Sequence, residues 1–287
     1  MLDDPSHYAW VEALMEVSDT ARWVAHLRGQ ETALFRDPYA SALAGERGRT
    51  IAETMPKLPW LRADGMVENL AVRTRVFDEL ILESIAALDA DAVLNLAAGL
   101  DARPYRLPLP PSLVWIEADC AALLEHKARV LTDAQPACKV VRIATDLREP
   151  AALLEGVRAY RRVLVVSEGL LVYLDEAAVR ALAGALASEP CLRRWIVESV
   201  APEQLNAHMK YWGEMLGDAR WRSAPDVALF GAYGWAALDR RPFFAESLRL
   251  GRSGLRHPRL VRVLARCSSR FRRSLERAVE YVVLARA

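Results

Sequence analysis

The densest chemical signal in this chain is Val93-Leu94-Asn95-Leu96-Ala97-Ala98-Gly99-Leu100-Asp101-Ala102-Arg103. An apolar run stops at small residues and then turns polar, as a buried parallel strand does when it ends in a tight loop against a ligand. Small residues such as Ala97 and Gly99 let the backbone come close to that ligand. About twenty residues on, a second apolar run, Leu113-Val114-Trp115-Ile116, ends in Glu117-Ala118-Asp119. An acidic residue at the tip of a second strand can accept hydrogen bonds from both hydroxyls of a ribose. The pair predicts a nucleoside-containing cofactor lying across strand ends.

The loop also discriminates between cofactors. Pyrophosphate binding calls for G-x-G-x-x-G with a helix N-terminus aimed at the phosphates. Here a single Gly99 is followed by Asp101, where an anion would sit. A carboxylate repels a phosphate and attracts a cationic amino acid. S-adenosylmethionine carries a sulfonium and an ammonium and no phosphate, so it suits this loop better.

The elements that must position these residues are legible from periodicity. Strands are expected at about 91–97, 113–118, 138–143, 162–167, 193–199, 234–239 and 280–285. Helices are expected at about 120–133, 150–158 and 175–188. Alternating strands and helices with short connections predict an α/β fold with a parallel, doubly wound sheet. The first ninety residues read as helical, a cap segment over residues 1–90. Within it Ser18-Asp19-Thr20 could cap one helix, and Asp37-Pro38 could start another. A long helix from about Met66 to Ala87 has Leu70, Phe77, Leu80, Ile81 and Ile85 on one side. Residues 91–287 form the core, with a further cap insertion at about 201–228 and a basic helical insertion at about 252–275.

With 287 residues, 53% hydrophobic and 26% charged, the composition is that of a globular chain able to bury a large core. A formal net charge of +1 gives no global case for nucleic acid or for an anionic membrane. No run reaches eighteen uninterrupted apolar residues, so no membrane span is expected. The acidic Met1-Leu2-Asp3-Asp4-Pro5 lacks a basic-then-apolar signal. Cys120, Cys138, Cys191 and Cys267 are scattered, as are the histidines, which predicts neither a metal site nor a disulfide framework. A reduced, cytoplasmic setting follows as the expectation.

Five separated segments resemble the leucine carboxyl methyltransferase family, and most closely its bacterial branch, which includes polyketide O-methyltransferases. They are Thr20-Ala21 with Trp23-Val24-Ala25, Phe35-Arg36-Asp37-Pro38-Tyr39-Ala40, Arg73-Thr74-Arg75 with Asp78, the Asn95–Arg103 loop with Glu117-Ala118-Asp119, and Ser167-Glu168-Gly169-Leu170-Leu171-Val172-Tyr173-Leu174. They occur in the family's order over about residues 15–240. The resemblance implies a Rossmann-like class I methyltransferase sheet under extra helices, with S-adenosylmethionine as cofactor. It implies that Arg73, and less directly Arg22, pair with the carboxylate of the cofactor's methionine moiety. Gly99 would admit the cofactor backbone-close, Asp119 would hold the ribose, and Asp146 and Leu147 would flank adenine. Glu168 would face the ammonium and the acceptor. Ala97 stands where the family has glycine, and Cys120-Ala121 where it has proline.

Methyl transfer is an in-line displacement at the carbon on sulfur, and the protein must hold the nucleophile close and partly desolvated. A carboxylate acceptor is already ionised at neutral pH, whereas a phenol or alcohol needs a base. Candidate catalytic side chains are Glu168, Tyr173 and His208. No histidine-centred base is evident beyond His208, which favours a small natural-product-like carboxylic acid giving a methyl ester; a phenolic or alcohol oxygen is the alternative. Tyr173, Tyr211, Trp212, Trp221, Phe230 and Tyr233 could line an apolar acceptor site. Arg103 or Arg222 could meet an anionic acceptor. Two rival readings remain: a nicotinamide-dependent enzyme on the same sheet, and a non-catalytic cofactor-binding module.

From Ser247 to Leu275 there is no Asp or Glu, while Arg252, Arg256, Arg259, Arg262, Arg266, Arg270, Arg272 and Arg273 accumulate. The spacing 259, 262, 266, 270, 273 predicts one basic helical face. It is either a solvated face or a docking surface for an acidic partner such as an acyl carrier protein.

Overall fold

The computed structural model describes residues 17–55, 57–147 and 151–286. In chain order the elements are α1 (Val17–Gly29), α2 (Ala40–Thr54), α3 (Gly65–Leu88), β1 (Ala92–Leu96), α4 (Arg103–Arg106), β2 (Val114–Asp119), α5 (Ala121–Val130), β3 (Lys139–Ala144), α6 (Ala151–Val157) and β4 (Val163–Ser167). After a short 3-10 turn at Leu171–Tyr173 come α7 (Glu176–Ser188), β5 (Leu192–Val200), α8 (Pro202–Leu216), α9 (Ala228–Gly231), β6 (Trp235–Pro242), α10 (Phe243–Arg249), α11 (Pro258–Cys267), α12 (Ser269–Ala278) and β7 (Val279–Arg286).

The seven strands form one sheet in the order β3-β2-β1-β4-β5-β7-β6. β1 to β5 are parallel, as expected. β7 runs antiparallel between β5 and β6, so the sheet is mixed rather than wholly parallel. The chain switches direction between β1 and β4, and the crevice at the carboxyl ends of such neighbours is where an open α/β sheet binds ligands.

Strand periodicity divides the core. Ala92, Leu94 and Leu96 of β1, Val163 and Val165 of β4, and Trp195 of β5 pack with α6 and α7 on one face. The alternate residues Val93, Leu164, Val166 and Ile196 pack with Val72, Val76, Phe77, Leu80, Ile81 and Ile85 of α3 on the other. The long helix thus buries the stripe its 3.6-residue spacing marks, and its Cα trace ends where Asp89 turns left-handed.

The cap is built on α1, α2 and α8. Trp23 and Leu27 of α1 pack with Ile51, Met55, Trp212 and Leu216. Ala25, Leu43 and Ala44 pack with Leu100 and Ala102 of the loop after β1, which pins the cap to that loop. Two expected helix starts shift. Val17 is already helical, and Asp19 is buried in an ion pair with Arg47 at 2.7 Å rather than serving as a cap. α2 begins at Ala40, beyond Pro38. The expected basic helix is also two helices. Ser268 is extended (φ −131°, ψ 109°) and its Oγ accepts the Phe271 N–H at 3.2 Å, capping α12 and ending the run of arginines on a single face.

Candidate active site

The loop after β1 rests on backbone that L side chains rarely adopt. Ala97 has φ +51° and Gly99 φ +48°. For Ala97 the left-handed conformation costs about 1–2 kcal/mol. A Cβ on Gly99 would lie 3.4 Å from the Ala21 methyl, so α1 closes over the loop at van der Waals distance. The Gly99 N–H donates to Asp119 Oδ2 at 2.7 Å, and the Cys120 N–H donates to Oδ1 at 2.7 Å. Two fixed N–H groups therefore aim the half-buried Asp119 carboxylate at the end of β2. Each oxygen keeps a lone pair that a ribose hydroxyl can reach.

Beside this loop lies a network of guanidinium and carboxylate groups drawn from five elements. Arg73 on α3 donates from Nε to Glu168 Oε1 at 2.9 Å and from Nη1 to Glu198 Oε2 at 3.5 Å. Arg103 pairs with Asp78 at 2.7 Å, Asp101 at 2.9 Å and Glu168 at 2.7 Å, and its guanidinium also stands over the Phe77 ring. Arg106 pairs with Asp78 at 2.6 Å. Three guanidiniums thus face the four carboxylates of Asp78, Asp101, Glu168 and Glu198, leaving one negative charge in surplus.

Titration follows that imbalance. Burial alone would raise the Glu168 carboxyl, but Arg103 and Arg73 outweigh it and hold Glu168 below the ordinary carboxylate range. Asp101 is held far lower, chiefly by Arg103 against the same burial. Glu198 is the exception. Burial raises it, Arg73 opposes, and the Glu168 carboxylate adds to the rise. Arg73 is held charged by Glu198 and Glu168 in spite of burial. A guanidinium carries five N–H donors, and Arg73 is placed by one contact from Nε and a long one from Nη1, so it keeps capacity to receive a further carboxylate. An α-amino acid is a zwitterion that matches this place at both ends: its carboxylate meets Arg73, and its ammonium meets the surplus negative charge of Glu168 and Glu198.

The third part of the site is aromatic. Tyr173 hydrogen-bonds with the side chains of Trp221 and Thr20; burial raises its phenol, and those bonds oppose the rise. His208 on α8 stacks on Trp221 with centroids 3.8 Å apart and meets the edge of Trp212 at 5.0 Å. Trp212 in turn packs edge-on against Trp23 of α1. His208 is 8% exposed, and its Nε2 has no hydrogen-bond partner among the described residues. Burial lowers its pKa to about 4, so the ring is neutral at physiological pH. Because Thr20 precedes Ala21, the tyrosine, the cap helix and the Gly99 loop are tied into one wall.

Most of the expected site residues come together here: Arg73, Ala97, Gly99, Asp119, Glu168, Tyr173 and His208. Asp146 is exposed just after β3, and Leu147 packs partly against the core. Arg22 points elsewhere; its Nη1 lies 3.2 Å from His126 Nε2 on α5. Asp101 turns inward, where it accepts from the Asn95 amide at 3.0 Å and from Arg103, so it is not the surface anion that the loop sequence suggests. Arg103 is 2% exposed and saturated with carboxylates, which removes it as a partner for an anionic acceptor. Phe230 is core against Trp195 at 5.0 Å, and Tyr233 packs over Gly184 of α7, so neither lines the acceptor side. Glu198 and Tyr281, which stands opposite Glu198 in the β5–β7 register, escape a reading by motif, and Asp78, which belongs to the Arg73 segment, is given no role by it. An acidic residue inside the apolar fifth strand was the available signal for Glu198. No group of histidine, cysteine and carboxylate side chains that could hold a metal occurs among the described residues.

Known proteins resemble this chain in sequence and in fold. A candidate S-adenosyl-L-methionine-dependent methyltransferase of Mycolicibacterium smegmatis is 40% identical over 181 residues, covering 56% of this chain and 59% of that protein. One from Mycobacterium marinum is 37% identical over 184 residues, covering 56% of each. The chain therefore spans less than two-thirds of those relatives' length. Among solved structures, a DUF574 family protein from Streptomyces avermitilis superposes with a TM-score of 0.60 at 13% identity, covering 96% of this chain and 99% of that one. A candidate methyltransferase from Thermobifida fusca gives 0.57 at 17% identity, covering 93% and 94%. The family model described as leucine carboxyl methyltransferase matches residues 16–187, more than half of the chain. On the strength of that match, the chain belongs to the leucine carboxyl methyltransferase family.

Proposed function

We propose that this protein transfers the methyl group of S-adenosylmethionine to an oxygen of a small, largely apolar acceptor, a carboxylate that becomes a methyl ester. The observation that carries the reading is the pairing of two sites at the sheet's switch point. Asp119 offers a ribose two aligned lone pairs, and Arg73, set between Glu168 and Glu198, offers an amino-acid zwitterion both of its counter-charges. The cofactor supplies a methyl group already activated on sulfur. The protein's part is to orient, desolvate and align.

Arg73 would hold the tail carboxylate through its remaining N–H donors, while Glu168 and Glu198 would hold the ammonium. Asp119 would fix the sugar, and Asp146 and Leu147 would border the base. The acceptor would lie against Tyr173, His208 and Trp221. With a raised phenol, Tyr173 stays protonated and donates. With a pKa of about 4, His208 is a poor base for a phenol but a good neutral hydrogen-bond partner for an acceptor already ionised. That balance supports carboxyl over phenolic oxygen, and a natural-product-like acid suits the aromatic wall.

Two experiments test the reading. Titration calorimetry should give S-adenosylhomocysteine binding that Arg73→Ala and Asp119→Ala each weaken at least tenfold while circular dichroism stays unchanged; a folded variant that binds as well as the parent refutes it, as does tight binding of NAD alone. A panel of carboxylic and phenolic acceptors is then incubated with methyl-tritiated cofactor. A carboxyl methyl ester releases volatile methanol in base, whereas a phenolic ether does not.

A further inference from the structure

We propose that α11, with Trp60 beside its first turn, seats this protein on an anionic lipid surface. The helix is amphipathic in an unusual direction. Leu260, Val263 and Leu264 are 57%, 54% and 46% exposed, and Cys267 is exposed too. These residues recur at i, i+3, i+4 and i+7, one stripe of a helix. Ala265 alone is turned inward and buried. Four apolar side chains in a row therefore face outward. Arg259 and Arg266 border them on the exposed surface.

Charge marks the same place. Elsewhere on the surface many arginines have carboxylate partners, as Arg158 has Glu189 and Arg180 has Glu176, and the exposed ones that pair with none among the described residues, such as Arg129 and Arg193, are scattered. Among the described residues, Arg256, Arg259, Arg262, Arg266, Arg270 and Arg273 have none. A chain with a formal net charge of +1 has thus gathered unpaired cations around its most exposed apolar stripe. Trp60, 40% exposed, joins them, because its carbonyl accepts the Arg256 N–H at 2.8 Å just before α11 begins. Its ring also packs edge-on against Tyr211 of α8 at 4.9 Å, so the patch adjoins the cap over the acceptor side.

Three occupants fit an apolar stripe in principle, and charge and side-chain type choose among them. A second copy would set arginine against arginine. An acidic protein, the partner that the sequence alone suggests, would satisfy the charge and could use Trp60, but the stripe itself is leucine and valine, types under-represented among the anchors of protein interfaces. An anionic bilayer satisfies both features. Aliphatic side chains enter the acyl boundary, arginine stems lie along it with their heads at the phosphates, and tryptophan favours the interface. No described helix is long and apolar enough to cross a membrane, so the contact is one of lying on the surface.

The test uses the full chain and vesicle co-sedimentation. Vesicles of phosphatidylcholine mixed with phosphatidylglycerol should retain it at least about tenfold better than phosphatidylcholine alone, with the retention falling as salt rises. The pair Leu260→Ser/Leu264→Ser and the pair Arg259→Gln/Arg266→Gln should each reduce retention about tenfold while leaving circular dichroism and S-adenosylhomocysteine binding unchanged. Equal retention on the two lipids, or retention that ignores the leucine pair, overturns the proposal. So does a concentration-dependent dimer that the leucine pair dissolves, or capture by polyglutamate with no capture by vesicles.

Discussion

Removing Arg103 tests whether the charge network is what holds the site together. The substitution Arg103→Met keeps length and apolar stem and deletes the guanidinium. Three buried ion pairs go with it, to Asp78 at 2.7 Å, Asp101 at 2.9 Å and Glu168 at 2.7 Å. Removing one partner of a buried pair costs about 3–5 kcal/mol, because the other charge stays behind. Partial compensation survives: Asp78 keeps Arg106, Glu168 keeps Arg73, and Asp101 keeps the Asn95 amide. The lower end, about 3 kcal/mol, is therefore expected, a large part of the roughly 5–15 kcal/mol a domain has in total. The pH dependence separates this cause from simple loss of packing. In the parent, Asp101 and Glu168 are held below their ordinary values, so their contribution is present above about pH 4 and lost as pH falls through the folded values. In the variant, burial acts without its main opponent and the same carboxyls are raised, so stability declines as pH rises. The gap should be widest near neutrality and close in acid. Urea unfolding followed by circular dichroism at about pH 7 and about pH 5 measures it. A loss below about 1 kcal/mol at neutrality, or an equal loss at both values, refutes the reasoning.

Three further substitutions probe the site. Glu198 is raised by burial, so it destabilises the folded chain as pH rises through its titration; Glu198→Gln should be more stable than the parent at neutral pH, with no difference in strong acid, yet bind S-adenosylhomocysteine several-fold more weakly by calorimetry. His208, lowered to about 4 from an unfolded value of about 6.5, costs stability as pH falls between those values; His208→Phe should remove that slope in urea titrations and, by losing the unpartnered Nε2, hold or gain about 1 kcal/mol while kcat/KM drops tenfold or more. Ala97→Gly relieves about 1–2 kcal/mol of left-handed strain but returns about 0.4–1 kcal/mol of unfolded-state freedom, so thermal denaturation should show little change or a slight gain, and an unfolding midpoint that falls would contradict the backbone assignment.

Sequence periodicity carried the sheet and its ligand-facing ends well, because a parallel strand is apolar along its length and stops abruptly. The first strand, expected at about 91–97, is Ala92–Leu96, and the acidic tip of the second is Asp119 itself. Direction of a polar side chain is another matter. Asp101 sits two residues beyond Gly99, and nothing in that spacing tells whether its carboxylate faces a ligand or an internal arginine. The answer depends on Arg103, Asp78 and Glu168, which approach from a helix and a different strand end. Glu198 was hidden for the same reason, since its partner Arg73 lies 125 positions away. The basic segment misled through its regular spacing, although Ser268-Ser269 held a cap signal that divides it.

The inward turn of Asp101 removes one argument against a dinucleotide and replaces it with a stronger one. A pyrophosphate at the loop after β1 would need the free N–H groups of that loop. The Gly99 N–H is not free; it is committed to Asp119 Oδ2 at 2.7 Å. A phosphate drawn to this loop would have to displace a carboxylate and then sit beside it, close to a network that already carries one negative charge too many. A sugar hydroxyl faces no such conflict, because it donates to the same carboxylate and leaves the Gly99 bond in place. Further along the sheet, the surplus charge on Glu168 and Glu198 penalises a second anion and rewards an ammonium. Both ends of the site therefore discriminate by the same rule, admitting a neutral sugar and a zwitterionic tail whose ammonium meets the carboxylates, and resisting phosphate, which is why a sulfonium nucleoside fits where a nicotinamide dinucleotide does not.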